Sequence, residues 1–321
     1  MSRIVIAGAG AFGTALATAL ARDGAQVMLW ARDAEHAAEM ARVRENARRL
    51  PGVSLPEGVE PTADLRPKGA EALLIAVPMQ AMAGFVADHR TALAGGPLVA
   101  CCKGVALDTL EGPATMLARL CDGAEVALLS GPGFAADIGR GLPTGMTLAA
   151  GAPALAERLQ RLLSTPVLRL YRSTDPVGVE LGGALKNVVA IAAGIAIGAG
   201  LGDSARAALI TRGHAEMLRL AQARGAEPAT LSGLSGFGDL VLTCTSEKSR
   251  NFRYGQALGA GLTFDAATTV EGAATARAVA RLASEIGVEM PITAMVAALL
   301  DERLSIAQAV EALLARPLTD E

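Results

Sequence analysis

Ile4-Val5-Ile6-Ala7-Gly8-Ala9-Gly10-Ala11-Phe12-Gly13-Thr14-Ala15-Leu16-Ala17-Thr18-Ala19-Leu20-Ala21 decides the fold of this chain. It opens with an apolar run of strand length and closes with an Ala/Leu-rich helical stretch. Between them stand three glycines in the spacing GxGxxG. A strand, a glycine turn and a helix in that order form the fingerprint of a dinucleotide-binding βαβ unit. Gly8 permits the tight turn, Gly10 lets backbone approach a pyrophosphate, and Gly13 lets helix and strand pack closely. The helix start then aims unpaired N–H groups at the phosphates.

Working outward, a second strand at Val27-Met28-Leu29-Trp30-Ala31 ends about 20 residues beyond the motif, where a ribose-reading residue belongs. Arg32 occupies that position and Asp33 follows. A guanidinium grips a 2′-phosphate, which tilts the reading toward NADPH/NADP; the neighbouring acid keeps NADH/NAD open. Strands recur at Leu73–Val77, Leu98–Cys102, Val126–Leu129, Met146–Ala149 and Val167–Tyr171, most of them separated by helical stretches. This pattern predicts an α/β doubly wound parallel sheet, the Rossmann arrangement. After Asp175-Pro176 the pattern is helical: Arg206 to Arg224 stops at Gly225, Glu271 to Ile286 stops at Gly287, and Ser305 caps a last helix. The division is thus 1–175, dinucleotide-binding, and 176–321, an all-α substrate and catalytic domain.

Composition excludes several classes. The formal net charge of −3 gives no electrostatic case for nucleic acid. Cys101, Cys102, Cys121 and Cys244 have no metal-ligand spacing, and His36, His89 and His214 form no cluster, so no metal is expected. Inert thiols point to a reducing, cytoplasmic setting. The uncharged run Asn187 to Gly202 falls short of the ~20 residues of a spanning helix. Its glycines fit a buried, closely packed helix, and no membrane partner is expected.

The chain draws 25 of its 29 cations from Arg and only four from Lys: Lys68, Lys103, Lys186 and Lys248. Lys103 follows an apolar strand, and Lys186 lies in Gly183-Ala184-Leu185-Lys186-Asn187 just before the uncharged run. A lysine against an apolar helix can trade a proton near neutral pH, which Arg cannot. Asp239 stands in Gly236-Phe237-Gly238-Asp239-Leu240. Ser249-Arg250-Asn251 sets a guanidinium between a hydroxyl and an amide, a composition suited to a phosphate or polyol but also to a capped polar loop.

These segments resemble a known family. Gly8–Gly13, Lys103-Gly104, Ser130–Ala135, Leu181–Asn187, Arg206–Gly213, Gly236–Leu240, Ser249–Asn251 and Val270–Gly272 occur in an order closely similar to bacterial NAD(P)-dependent glycerol-3-phosphate dehydrogenases. The resemblance spans nearly the whole chain. It implies interconversion of sn-glycerol 3-phosphate and dihydroxyacetone phosphate, with the product supplied to phospholipid synthesis. It implies Lys186 as the proton donor and acceptor. Lys103, Gly131, Gly133, Lys186, Asp239, Ser249, Arg250 and Asn251 would be substrate contacts. Gly8, Gly10, Ala11, Phe12, Gly13, Arg32, Lys103, Ala135, Arg250 and Glu271 would be cofactor contacts. Gly133, Ser204 and Asp137 depart from the Ser/Thr, Asn and Glu usual in the family. The apolar helical half makes a homodimer the expected assembly.

Two alternatives stay open on the residues alone. A related two-domain reductase of another small oxo or hydroxy acid would share the fold and the lysine without the Ser249-Arg250-Asn251 grip. A non-catalytic NADPH sensor would need the fingerprint and no proton-transfer lysine.

Overall fold

The computed structural model describes residues 2–266 and 268–314. The chain forms two units, Met1–Gly183 with Ala226–Asp239, and Ala184–Gly225 with Leu240–Glu321. The first unit opens with β1 (Arg3–Ala7), α1 (Ala11–Arg22), β2 (Gln26–Trp30), α2 (Ala34–Val43) and β3 (Val59–Thr62). It continues through β4 (Ala72–Ile75), α3 (Met82–His89), β5 (Leu98–Ala100), α4 (Pro113–Leu120), β6 (Val126–Ser130) and α5 (Ala135–Arg140). Then come β7 (Thr144–Ala149), α6 (Pro153–Leu163), β8 (Leu168–Ser173) and the start of α7 (Pro176–Gly198). The remainder of α7 belongs to the second unit and leads into α8 (Gly202–Ala223). The short α9 (Pro228–Leu231) returns to the first unit. α10 (Asp239–Cys244), α11 (Arg250–Gly259), α12 (Glu271–Glu285), α13 (Pro291–Leu300) and α14 (Ile306–Leu314) then complete the helical part.

The eight strands make one sheet in the order β3-β2-β1-β4-β5-β6-β7-β8. The chain reverses direction across the sheet between β1 and β4, the switch point at which open α/β sheets bind ligands. Both faces are covered. Ile4, Ile6, Leu29, Leu74 and Leu129 pack with Leu16 and Leu20 of α1 on one side. Val5, Ile75, Leu98 and Leu128 pack with Met82, Phe85 and Leu117 on the other.

The sheet departs from the expected all-parallel pattern at β7, which pairs antiparallel to β6 with Leu129 opposite Leu148. The cause is the connection. α5 has six residues and ends at Gly141 in the left-handed region, φ 79°. Six helical residues advance about 9 Å, against about 16 Å for a five-residue strand. The chain therefore turns back rather than recrossing the sheet, and β7 then pairs in parallel with β8. β3 went unrecognised because Val59-Glu60-Pro61-Thr62 carries a proline and an acid. Both are tolerated at the sheet edge where β3 lies.

In the second unit α7 is a core helix. It is long and apolar enough to cross a membrane, yet 89% of its most apolar window is buried within the protein. Small residues let α11 approach it backbone to backbone. A Cβ on Gly194 would stand 2.1 Å from the Phe252 carbonyl oxygen, and one on Gly255 2.1 Å from that of Ile191.

Two buried glutamates supply helix caps from a distance. Glu180 accepts from the Ala114 and Thr115 N–H groups at 2.5 and 3.0 Å, closing the N-terminus of α4. Glu216 does the same for α13, accepting from Ile292 N–H at 2.5 Å and Thr293 N–H at 3.1 Å. Burial raises the pKa of both carboxyls above the usual 4.5 despite these donors.

Candidate active site

The glycine-rich turn has the shape its sequence implies. Gly8 has φ 123°, and a Cβ there would strike the Ala76 carbonyl oxygen at 2.6 Å, just beyond β4. A Cβ on Gly13 would lie 2.0 Å from the Gly8 carbonyl oxygen, so α1 rests directly on the turn. Gly10 is different: among the described residues a Cβ there would meet nothing within 4 Å. It is also the N-cap of α1, with no side chain bonded to the first-turn N–H groups and no acid among them. Closed packing at Gly8 and Gly13, with an open uncapped helix end at Gly10, Ala11 and Phe12, fits the pyrophosphate of a dinucleotide.

At the end of β2, Asp33 is committed to structure. Its Oδ1 accepts from Glu35 N–H at 2.9 Å and His36 N–H at 3.3 Å as the N-cap of α2, and Arg48 stands 3.6 Å from Oδ2. Arg32 is exposed and has no hydrogen-bond or ion-pair partner among the described residues. Of the two adjacent charges, the cation is the one left to meet a ligand.

Lys103 follows β5 on the same side of the sheet. Its Nζ donates to the Gly131 carbonyl at 3.0 Å and to Asp239 Oδ2 at 2.6 Å. The lysine side chain is 17% exposed and the aspartate 2%, so the pair sits at the rim of the protein interior. Gly183 of α7 passes close by. A Cβ at this position would lie 2.8 Å from Ser130 Oγ and 3.5 Å from Lys103 Cγ. Ser130 Oγ is buried and has no hydrogen-bond partner among the described residues. Gly131 itself has φ 137°, and Ala135 opens α5 with no side-chain cap.

The second unit carries the other cluster. Lys186 is 5% exposed and its Nζ donates to Thr243 Oγ1 at 2.9 Å. Asn187, next along α7, accepts from Asn251 Nδ2 at 2.9 Å; Asn251 Oδ1 in turn accepts from Gly272 N–H at 2.9 Å. Ser249 is the N-cap of α11, its hydroxyl accepting from Phe252 N–H at 3.2 Å. Arg250, the first residue of that helix, is exposed and has no partner among the described residues. Glu271 begins α12 beside Gly272. The unit thus gathers a buried ammonium, a neutral amide chain and an open guanidinium at a helix N-terminus.

Residues 3–156 match the N-terminal part, and residues 175–311 the C-terminal part, of NAD-dependent glycerol-3-phosphate dehydrogenase. The chain belongs to the glycerol-3-phosphate dehydrogenase family. It is 59% identical over 319 residues to the glycerol-3-phosphate dehydrogenase [NAD(P)+] of Ruegeria sp. (strain TM1040), covering 99% of each chain. It is 58% identical to that of Paracoccus denitrificans, covering 99% of each chain. Among solved structures it superposes on the Coxiella burnetii glycerol-3-phosphate dehydrogenase with a TM-score of 0.92 at 38% identity, covering 98% of this chain and 99% of that one.

Within this glycerol-3-phosphate dehydrogenase scaffold, three partners went unread in sequence. Thr243, the acceptor for Lys186, lies four residues after Asp239 with nothing in its neighbourhood to mark it. Asn187 was quoted only as part of a motif, yet it anchors Asn251. Asn46, whose Nδ2 donates to the Ala9 carbonyl of the glycine-rich turn at 3.0 Å, belongs to a loop with no motif at all. The structure also accounts for Gly133: a Cβ there would stand 3.0 Å from Ile138 Cδ1, 3.3 Å from Thr144 Cγ2 and 3.4 Å from Met146 Sδ. Neighbouring side chains occupy the space that a Ser or Thr would use.

Proposed function

We propose that this chain interconverts sn-glycerol 3-phosphate and dihydroxyacetone phosphate with NAD(P)H, and that Lys186 moves the proton. The observation carrying this is a buried lysine on an apolar helix, in a chain that otherwise relies on arginine, held by a threonine hydroxyl at 2.9 Å. When bound, the nicotinamide supplies the hydride that reduces C2 of the ketone. Lys186 Nζ stabilises the negative charge growing on the carbonyl oxygen and donates the proton that makes it a hydroxyl. In the reverse direction its neutral amine takes that proton back.

Lys103 and Asp239 are proposed to hold the substrate's polar end, with the Gly131 and Gly133 backbone beside them. As an ion pair they contribute directed hydrogen bonds with little net charge. Arg250, Ser249 and Asn251 are proposed to hold the phosphate: the guanidinium supplies the charge, and hydroxyl and amide supply neutral bonds. Gly8, Gly10, Ala11, Phe12, Gly13, Ala135 and Glu271 would hold the cofactor, with Arg32 on the 2′-phosphate of NADPH. In this reading residues 1–175 carry most of the dinucleotide contacts, and residues 176–321 carry Lys186 and the residues proposed to hold the phosphate.

The same reading makes the protein a cytoplasmic homodimer. Its support is four cysteines that form no disulfide among the described residues, with the Cys101 thiol pushed well up by burial, and exposed Leu201, Leu262 and Ile286 in the helical unit. The test is to mix the pure protein with NADPH and dihydroxyacetone phosphate and follow the nicotinamide absorbance. Stoichiometric oxidation that fails with phosphate-free dihydroxyacetone supports the proposal; absence of oxidation with the phosphorylated ketone rejects it.

A further inference from the structure

Asn46 lies in the loop between α2 and β3, 37 positions from the glycine-rich turn, and has no exposed surface. Its carboxamide is fully engaged. Nδ2 donates to the Ala9 carbonyl at 3.0 Å and to Thr14 Oγ1 at 2.7 Å, while Oδ1 meets His36 Nε2 at 2.9 Å. Two acceptors on one side and a ring nitrogen on the other fix which end of the amide faces which way. Its backbone is equally well held, since the Asn46 carbonyl accepts from Leu50 N–H at 2.8 Å and Arg49 N–H at 3.1 Å. The loop beyond is tied down by Arg44, whose guanidinium donates to the carbonyls of Val59, Leu55 and Pro56.

The contact with Ala9 has a geometric consequence. In a planar trans peptide the C=O and the N–H point in opposite directions. Drawing the Ala9 oxygen toward Asn46 therefore turns the Gly10 N–H the other way. Gly10 is the residue whose Cβ direction is empty to 4 Å and whose helix end carries no cap.

We infer that Asn46 is a positioning residue for the cofactor. It locks the Ala9–Gly10 peptide so that the N–H groups opening α1 face the pyrophosphate. Through His36 it also ties this turn to α2. The inference rests on the reading of the glycine-rich turn as a dinucleotide site. Because the pyrophosphate is common to both cofactors, Asn46 acts on NADPH and NADH alike, unlike Arg32.

The experiment compares wild type with Asn46→Ala and Asn46→Asp. The aspartate keeps the size and the His36 contact but loses both donors, so it serves where the alanine variant does not fold. Folding is checked by circular dichroism, the Kd of NADPH and NADH by nicotinamide fluorescence, and the KM of dihydroxyacetone phosphate by kinetics at saturating cofactor. Loss of one neutral hydrogen bond corresponds to about fivefold. Both cofactors' Kd should therefore rise at least about fivefold and by the same factor, with the substrate KM unchanged. A folded variant that binds both cofactors as wild type does, or whose substrate KM rises as much as its cofactor Kd, overturns the role of Asn46. Wild type that binds neither cofactor overturns the dinucleotide reading itself.

Discussion

Lys103 Nζ and Asp239 Oδ2 meet at 2.6 Å across 136 positions of chain. The aspartate is almost wholly buried, and the lysine ammonium helps to compensate its charge. Removing one member of such a pair costs more than removing both, because a buried charge loses its counter-charge. Lys103→Met should destabilise the protein by about 3 kcal/mol. It should also lower kcat/KM for dihydroxyacetone phosphate by at least about tenfold, through the loss of a charge-assisted contact. The double variant Lys103→Met/Asp239→Leu should recover part of the stability while staying inactive. Thermal denaturation of the three variants decides it; strictly additive losses would show that the two residues do not depend on each other.

Arg32→Ala should raise the KM for NADPH far more than that for NADH. Asp33 is engaged as a helix cap and faces Arg48, which leaves the Arg32 guanidinium as the group able to read the 2′-phosphate. Steady-state kinetics with both cofactors is the check, and equal effects would make Arg32 a bystander.

Arg250→Ala should lower kcat/KM for dihydroxyacetone phosphate by at least about tenfold, the size of one charge-assisted contact. Arg250→Lys should recover only part, because a point charge lacks the bidentate fork. With phosphate-free dihydroxyacetone the substitution should matter far less. A loss shared equally by both ketones would assign the arginine to the cofactor or the fold.

Glu216 sets a pH dependence of stability. Burial, the largest influence, raises its pKa above the usual 4.5, against the bonds from Ile292 and Thr293. The folded state therefore holds this proton where the unfolded chain has released it. The stabilisation is complete below pH 4.5 and is lost as pH rises through the elevated folded value. Comparing the Tm of wild type and Glu216→Gln across pH, the wild-type advantage should be greatest at the acid end and shrink upward. An advantage that grows with pH would contradict this.

Much of this was legible in the chain. Gly8, Gly10 and Gly13 announced the turn because each serves a different steric need, and those needs act over a few adjacent residues. The ends of α8 and α12 were readable for the same reason: Gly225 and Gly287 adopt φ of 74° and 69° just past them. Ser305 does cap α14, its Oγ accepting from Gln308 N–H at 3.3 Å. What stayed hidden depended on distant partners. Nothing near Asn46 signals that it holds Ala9, nothing near Glu216 signals that it caps α13, and Thr243 is one threonine among many until α10 brings it to Lys186. The direction of β7 was hidden because it follows from the length of the connection, which the strand's own residues do not encode.

The most direct test of the account is the turnover of Lys186→Met at saturating NADPH and dihydroxyacetone phosphate, measured beside its NADPH affinity. General acid–base catalysis contributes about 10²–10⁴-fold. The expected result is a rate lowered at least that far, with NADPH binding close to wild type. Turnover within about tenfold of wild type would show that the proton comes from another group and would contradict the central role given to Lys186.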